Sequence, residues 1–145
     1  MYQIDDIAEW FLFKDKLNHE KLQCFCYLAY GWYYALNDIE LFKTAGFMAT
    51  GFFPHDVYLF DKYKHYGSRK IKASIEVIFP VDIDVFLISI YDLYKDIDSY
   101  ALTMIIKKEL PYRNALARRL LNPNQEPICF KEDMKKYYLS IYQNG

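Results

Sequence analysis

The sequence predicts a mainly α-helical fold, a single compact domain over residues 1–145 with six or seven helices and at most one short strand pair. Apolar residues recur every three or four positions in several stretches, which is the spacing of one helix face. The chain is 53% hydrophobic and has only 5 Gly and 5 Pro, so we expect no long linkers. A domain of this size folds without metal ions or disulfides.

The first two helices have the clearest pattern. Residues 4–16 are predicted to form an amphipathic helix, with Asp5 and Asp6 near its positive N-terminal end. Asn18 suits the N-cap of a second, longer helix that crosses the core and ends near Asn37 and Asp38. These assignments rest on local signals alone.

The middle of the chain is less regular. Residues 41–53 break the helical period, so we expect a packed connection with at most one short strand. Pro54 is predicted to open a third helix that ends before Gly67. Residues 68–72 are then expected to form an exposed basic loop, and residues 75–79 a short strand that Pro80 ends.

The last part of the chain carries further helix signals. We predict one helix that begins at Asp82 or Asp84 and another that begins at the capping pair Asp98 and Ser99 and reaches Leu110. Two more are predicted, after Pro111 over residues 112–121 and over residues 130–142.

The histidines and cysteines lack the spacing of known metal-binding or catalytic sites. His19 begins a zinc-protease-like pattern, but Gln23 stands where the second histidine belongs. Cys24 and Cys26 point to different sides of one helix, and no nucleophile elbow or phosphate loop is present. We therefore expect no metal ion, no cofactor and no enzyme activity.

The net charge and the cysteine count limit which binding partners and which cellular compartment we expect. The net charge is −1, so we do not expect nucleic acid as the main partner, and no stretch is long enough to span a membrane. Acidic residues prevail before residue 100 and basic ones after it, an asymmetry that suits pairing of two copies but also a solvated surface. The odd cysteine count and the N-terminus without a signal-like segment predict a cytoplasmic protein.

One basic cluster leaves an alternative open. Five cations lie close together around Tyr112, and such a cluster suits phosphate binding as well as the dipole at helix ends. These residues are Lys107, Lys108, Arg113, Arg118 and Arg119. The alternative function is therefore a nucleic-acid-associated regulator.

The second helix resembles the signature helix of the Panacea domain, the SocA-like antitoxin family that includes phage-associated GepA-like proteins. That family shows Lys-Leu-Gln-Lys-Leu, then Tyr, Ala, Gly-Trp and Ala-Leu at this spacing. Later stretches agree in order, including Tyr66-Gly67 and Glu109-Leu110-Pro111-Tyr112. The matching signature residues are Lys21, Leu22, Gln23, Tyr27, Ala29, Gly31 and Trp32.

The resemblance implies a non-enzymatic antitoxin of phage or mobile-element origin. Such a protein neutralises the toxin of a neighbouring gene by direct contact, or delivers that toxin to a protease. Ile106 and Lys107 stand where the family often has Thr-His, the only part of its pattern that suggests chemistry. We expect most of the signature to be structural, with Gly31 allowing another helix to approach closely.

The aromatic residues suggest where a partner docks. The chain has 15 Tyr, 11 Phe and 2 Trp, a content typical of an aromatic core or of a binding surface. Five of them fall within a short span around the third predicted helix, more than one helix face buries. The candidate partner-binding residues are Phe52, Phe53, Tyr58, Tyr63 and Tyr66. The alternative is that all five pack against the second helix.

Overall fold

Seven α-helices and five two-residue strands make up the fold in the computed structural model, which describes residues 1–144. The helices are α1 (Ile4–Lys14), α2 (His19–Asn37), α3 (Val57–Tyr63), α4 (Val81–Tyr94), α5 (Ser99–Lys108), α6 (Leu110–Leu121) and α7 (Lys131–Asn144). The strands are β1 (Tyr2–Gln3), β2 (Phe42–Lys43), β3 (Phe47–Met48), β4 (His55–Asp56) and β5 (Ile128–Cys129). The predicted mainly helical class is confirmed.

Helix α2 is the centre of the molecule. It packs against α1, α4, α5 and α7, and its residues are buried on nearly all sides. The predicted cap is confirmed, because the Asn18 side chain accepts a hydrogen bond from the Lys21 N–H at 2.9 Å. The helix ends where expected, at Asp38, which adopts a left-handed conformation with φ of 58°. The other helices surround α2 and enclose one hydrophobic core.

Two small sheets join parts of the chain that are far apart in sequence. Strand β1 pairs with β2 in parallel, with Tyr2 opposite Phe42. Strand β3 lies between β4 and β5 and is antiparallel to both. The sequence predicts at most one strand pair. Two-residue strands are too short to show an alternating pattern, so only tertiary contacts reveal them.

The predicted start of the third helix at Pro54 is wrong. The residues after Pro54 form β4, and the helix begins at Val57 with Asp56 as its N-cap, whose side chain accepts from the Leu59 N–H at 2.9 Å. The helix ends at Tyr63 and a 3₁₀ turn, Lys64–Tyr66, follows. Gly67 closes this unit with a φ of 59°, as its predicted role requires.

The predicted strand over residues 75–79 is also wrong. This stretch has no strand partner among residues 1–144, and it forms neither a helix nor a turn. The N–H groups of Ser74 and Ile75 donate instead to the buried Glu9 carboxylate, at 2.9 and 3.3 Å. Within the loop predicted to be exposed, Ile71 is buried, and its N–H donates to the Leu17 carbonyl at 2.8 Å.

The later helices lie close to their predicted positions. Asp98 caps α5 as expected, its side chain accepting from the Ala101 N–H at 2.9 Å. The predicted end of α5 at Leu110 is two residues too late, because Glu109 breaks the chain direction and α6 starts at Leu110. None of the helices within residues 1–144 is long and apolar enough to cross a membrane.

Candidate protein-binding groove

The signature residues of α2 lie mostly inside the molecule. Leu22, Tyr27 and Ala29 are fully buried and belong to the core. Lys21 is the outward-facing member, and its Nζ donates to the Lys95 carbonyl at 2.7 Å, where α4 ends. Three of the signature residues therefore form part of the core.

Gln23 anchors β4 to α2. Its Oε1 accepts from the Asp56 N–H at 2.9 Å, and its Nε2 donates to the Asp56 carbonyl at 3.2 Å. Both side chains are buried, so these contacts satisfy main-chain groups that water does not reach. A glutamine suits this position because its amide carries a donor and an acceptor side by side.

Trp32 connects the signature helix to the surface. Its indole Nε1–H donates to the Tyr94 hydroxyl at 2.9 Å, and its ring packs on Tyr138 with a centroid distance of 4.7 Å. These two contacts hold the indole at the meeting point of α2, α4 and α7. Its remaining edge lines an open groove between the three helices.

The groove has a volume of about 620 Å³ and a predominantly apolar lining. Leu36 comes from α2, Phe86 and Leu93 from α4, and Ile141 and Tyr142 from α7. Leu93 is 63% exposed, and Leu36, Ile141 and Tyr142 are exposed as well. Exposed apolar side chains around one concave site are typical of a surface that binds a protein or an apolar ligand.

Sequence reasoning did not find this groove. The helical period placed Trp32, Leu36 and Ile90 on core-facing stripes, but only Trp32 and Ile90 are buried, whereas Leu36 is exposed. The pattern shows which face of each helix is apolar, but it does not show that the three faces leave a gap where they meet. The surplus of apolar residues in α4 was the available signal, since Val81, Val85 and Leu93 are exposed.

The five predicted docking residues do not form one surface. Phe52 is 89% exposed, and Tyr58 is exposed with its hydroxyl donating to Asp5 at 2.7 Å. Phe53 and Tyr66 are half-buried. Tyr63 is only 5% exposed, so its assignment as a docking residue is wrong. The short α3 turns this side chain inward.

His19, at the start of α2, is the centre around which some of these aromatics pack. Its ring lies 5.2 Å from the rings of Phe53 and Phe60 and 6.2 Å from that of Tyr63. Burial, and then the nearby charge of His55, lower the pKa of His19 to about 4. His19 is therefore neutral at pH 7 and serves as a packed ring.

Arg118 differs from the other members of the basic cluster of α5 and α6, because its side chain is held by neighbouring residues. Arg118 pairs with Asp133 at 3.0 Å, donates to the Ile128 carbonyl at 3.0 Å and lies 3.6 Å from the Phe130 ring centroid. It therefore ties α6 to α7. Lys108, Arg113 and Arg119 are exposed and Lys107 is half-buried. Leu120, which is 83% exposed, lies beside Arg119 in sequence.

The cysteines lie inside the protein, where their thiols resist ionisation. Cys24, Cys26 and Cys129 are free, buried thiols, and burial raises the pKa of Cys24 and of Cys129 to about 12. No group of three or more His, Cys, Asp and Glu side chains in the described part of the chain is placed to hold a metal ion.

Comparison of the chain with protein-family models, with curated proteins and with solved structures finds no match. The groove and its contacts are thus the structural basis for a functional proposal.

Proposed function

We propose that this chain is an antitoxin-like protein-binding module that neutralises a toxin encoded beside it. The contact surface is the groove between α2, α4 and α7. The toxin contributes an apolar helical segment, since helix-lined grooves of this kind accept the apolar face of an amphipathic helix.

One observation carries this proposal. The signature helix contributes the exposed Leu36 and one edge of the otherwise buried Trp32 to the apolar groove, beside Leu93 and Tyr142. The part of the chain that resembles the antitoxin family therefore also lines the concave apolar surface. A partner that covers these side chains removes apolar area from water, which is the main source of binding energy.

The alternative function, a nucleic-acid-associated regulator, uses the exposed cations of α5 and α6. Arg118 is already held by Asp133, which leaves four cations of that cluster for phosphate. The exposed Leu120 and Leu121 accompany them, and leucines do not suit a phosphate backbone. Binding of duplex DNA at about 50 mM salt, weakening with a salt slope of about −0.9 per phosphate contact, would support this alternative.

The test is co-expression with each neighbouring open reading frame of the source genome. We expect one neighbour to be toxic alone and harmless with this chain. The diagnostic variant is Leu93→Lys, which places a charge in the groove at an exposed position and leaves the fold intact. Truncation or replacement of a buried anchor commonly weakens binding by about 2 kcal/mol or more, roughly thirtyfold.

The matched control is Leu120→Lys, the same change at an exposed leucine of α6. Rescue should fail with Leu93→Lys and persist with Leu120→Lys, at equal melting temperatures. Failure with Leu120→Lys alone would move the contact to α6, and the absence of any rescued neighbour would contradict the antitoxin function.

The same cells separate blocking from delivery to a protease. If the chain blocks its toxin, the toxin level stays constant on rescue and the two proteins co-purify. If it delivers the toxin, the toxin level falls and recovers when the host lacks the protease.

A further inference from the structure

A second groove, here called the lysine groove, lies where the end of α1 meets residues 70–73. Its volume is about 790 Å³, and it shares no lining residue with the groove between α2, α4 and α7. The buried side chains of Leu12 and Ile71 contribute apolar surface to it. Four of its lining residues are lysines: Lys14, Lys16, Lys70 and Lys72. The lysine groove therefore gathers cations from two distant parts of the chain.

The four lysines have no internal counterion. All four are exposed, and none forms an ion pair with another residue of the range 1–144. Among the described residues, Asp15 is the one acid that lines the groove, which leaves the groove with a net charge of +3. The Asp15 carboxylate already accepts from the Tyr91 hydroxyl at 2.9 Å and from the Lys16 N–H at 2.7 Å. Cations that share one concave site repel each other, and a bound anion relieves that repulsion.

Main-chain donors accompany the lysines. Lys72 and Ala73 both line the groove, and their N–H groups have no hydrogen-bond partner within residues 1–144. The N–H groups on either side are occupied, because that of Ile71 donates to the Leu17 carbonyl and that of Ser74 donates to the Glu9 carboxylate. Lysine ammonium groups and main-chain N–H groups are both common donors to phosphate oxygens. The lysine groove thus has the donors that a phosphate group needs.

One exposed aromatic ring borders the lysine groove. Phe13 is 57% exposed, and it lines both this groove and a neighbouring one beside Trp10. An aromatic ring next to cations is typical of sites where a nucleic base stacks while lysines bind the phosphates.

The surroundings favour a compact anion over a long strand. The neighbouring groove that shares Phe13 is also lined by Glu76 and Asp84, so a polyanion that continues past Phe13 meets carboxylates. The whole chain has a net charge of −1, and its surface outside the lysine groove is therefore net negative. A nucleic-acid strand needs a positive track along its length, whereas a small anion needs only the groove.

We propose that the lysine groove binds a nucleoside polyphosphate. The four lysines and the N–H groups of Lys72 and Ala73 hold the phosphates, and the base stacks on Phe13. A triphosphate has a charge opposite in sign and similar in size to that of the groove, and the volume of the groove is typical of small-molecule sites. The site is independent of the groove proposed to bind the toxin.

The test is isothermal titration calorimetry of the purified chain with ATP and with GTP. We expect binding of at least one of them at about 50 mM salt, and weaker binding at about 500 mM, where exposed charges are screened. Lys70→Gln/Lys72→Gln should raise the dissociation constant at least about tenfold, because each lysine makes a charge-assisted contact. The matched control is Lys43→Gln/Lys136→Gln, which removes two exposed lysines outside the groove that also have no ion-pair partner within residues 1–144. This control should leave the dissociation constant unchanged.

Phe13→Leu separates the base from the phosphates. It should weaken nucleotide binding at least about fivefold, because the ring no longer stacks on the base, and it should leave the binding of inorganic triphosphate unchanged. Adenosine, which has the base but no phosphate, should show no binding.

Two results would overturn the site itself: no binding of either nucleotide, or equal affinity of the wild type and Lys70→Gln/Lys72→Gln. Inorganic triphosphate that binds as tightly as the nucleotide would overturn the role of Phe13. Single-stranded oligothymidylate that binds more tightly than either nucleotide, and is lost in the lysine variant, would assign the groove to nucleic-acid strands instead. Toxin rescue by the lysine variant is scored separately, so failure of the nucleotide site leaves the antitoxin proposal standing.

Discussion

A Cβ atom placed on Gly31 would lie only 2.6 Å from Cε2 of Tyr138, so α7 crosses α2 at a distance that glycine permits. Tyr138 is fully buried and its ring packs on Trp32. Its hydroxyl donates to Glu109 at 2.8 Å, which fixes the far end of the side chain. Because the ring is held on two sides, it does not swing away from an added methyl group.

Gly31→Ala is therefore expected to destabilise the protein. Overpacking of a close contact costs about 1–3 kcal/mol. The higher helix propensity of alanine, about 1 kcal/mol, offsets only part of this. Urea unfolding of the variant measures the change. As a control, Gly31→Ala should cost less in a Tyr138→Leu background, and an equal cost in both backgrounds would show that the Tyr138 ring is not the obstacle.

Gln23→Met tests the link between α2 and β4. Methionine keeps a similar volume but leaves the buried N–H and C=O of Asp56 without their partner. An unsatisfied buried polar group costs about 1–3 kcal/mol, so we expect a loss of that order. The matched control is Gln143→Met at an exposed position of α7, which should change the free energy of unfolding by less than about 0.5 kcal/mol. Equal effects would refute the anchoring role.

Glu109 predicts a dependence of stability on pH. Burial raises its pKa to about 7, against the ordinary 4.5, although the hydrogen bond from Tyr138 acts in the opposite direction. Between pH 4.5 and 7 the folded protein keeps a proton that the unfolded chain has released. The contribution of Glu109 to stability is thus complete below pH 4.5 and is lost as the pH rises to about 7.

Glu109→Gln removes this titration. We expect the variant to exceed the wild type in free energy of unfolding by about 1–3 kcal/mol at pH 8, with the difference shrinking towards pH 5. His19 contributes with the opposite sign, since its stabilisation is present above pH 6.5 and lost as the pH falls to about 4. That contribution is common to both proteins and cancels in the comparison. A pH-independent difference would contradict the raised pKa of Glu109.

Tyr63 and Tyr58 should respond differently to truncation. Tyr63 is buried against His19, so Tyr63→Ala is expected to cost about 3–5 kcal/mol in thermal or urea unfolding. The Tyr63 hydroxyl has no hydrogen-bond partner within residues 1–144, and Tyr63→Phe should therefore be close to neutral. Tyr58 is exposed, and Tyr58→Ala should cost no more than about 1 kcal/mol. Similar losses for both alanine variants would contradict this division.

The sequence alone determined the helical class and most helix positions. Asn18 and Asp98 cap the helices that follow them, and Gly67 takes a positive φ where a helical turn ends. Gly31 also lies at a close helix contact, as predicted. These features follow from short-range physics, because capping and helix periodicity involve residues within about four positions of each other.

Tertiary structure alone decided which side chains and main-chain groups remain at the surface. Tyr63 and Tyr58 belong to the same short helix and look alike in sequence, yet one is buried and the other exposed. Residues 75–79 carry a strand pattern but have no strand partner within residues 1–144, whereas Phe47 pairs with Asp56 and Cys129 without such a pattern. Burial and strand pairing depend on contacts between distant residues, and a local pattern records only the tendency of a segment, not the presence of its partner.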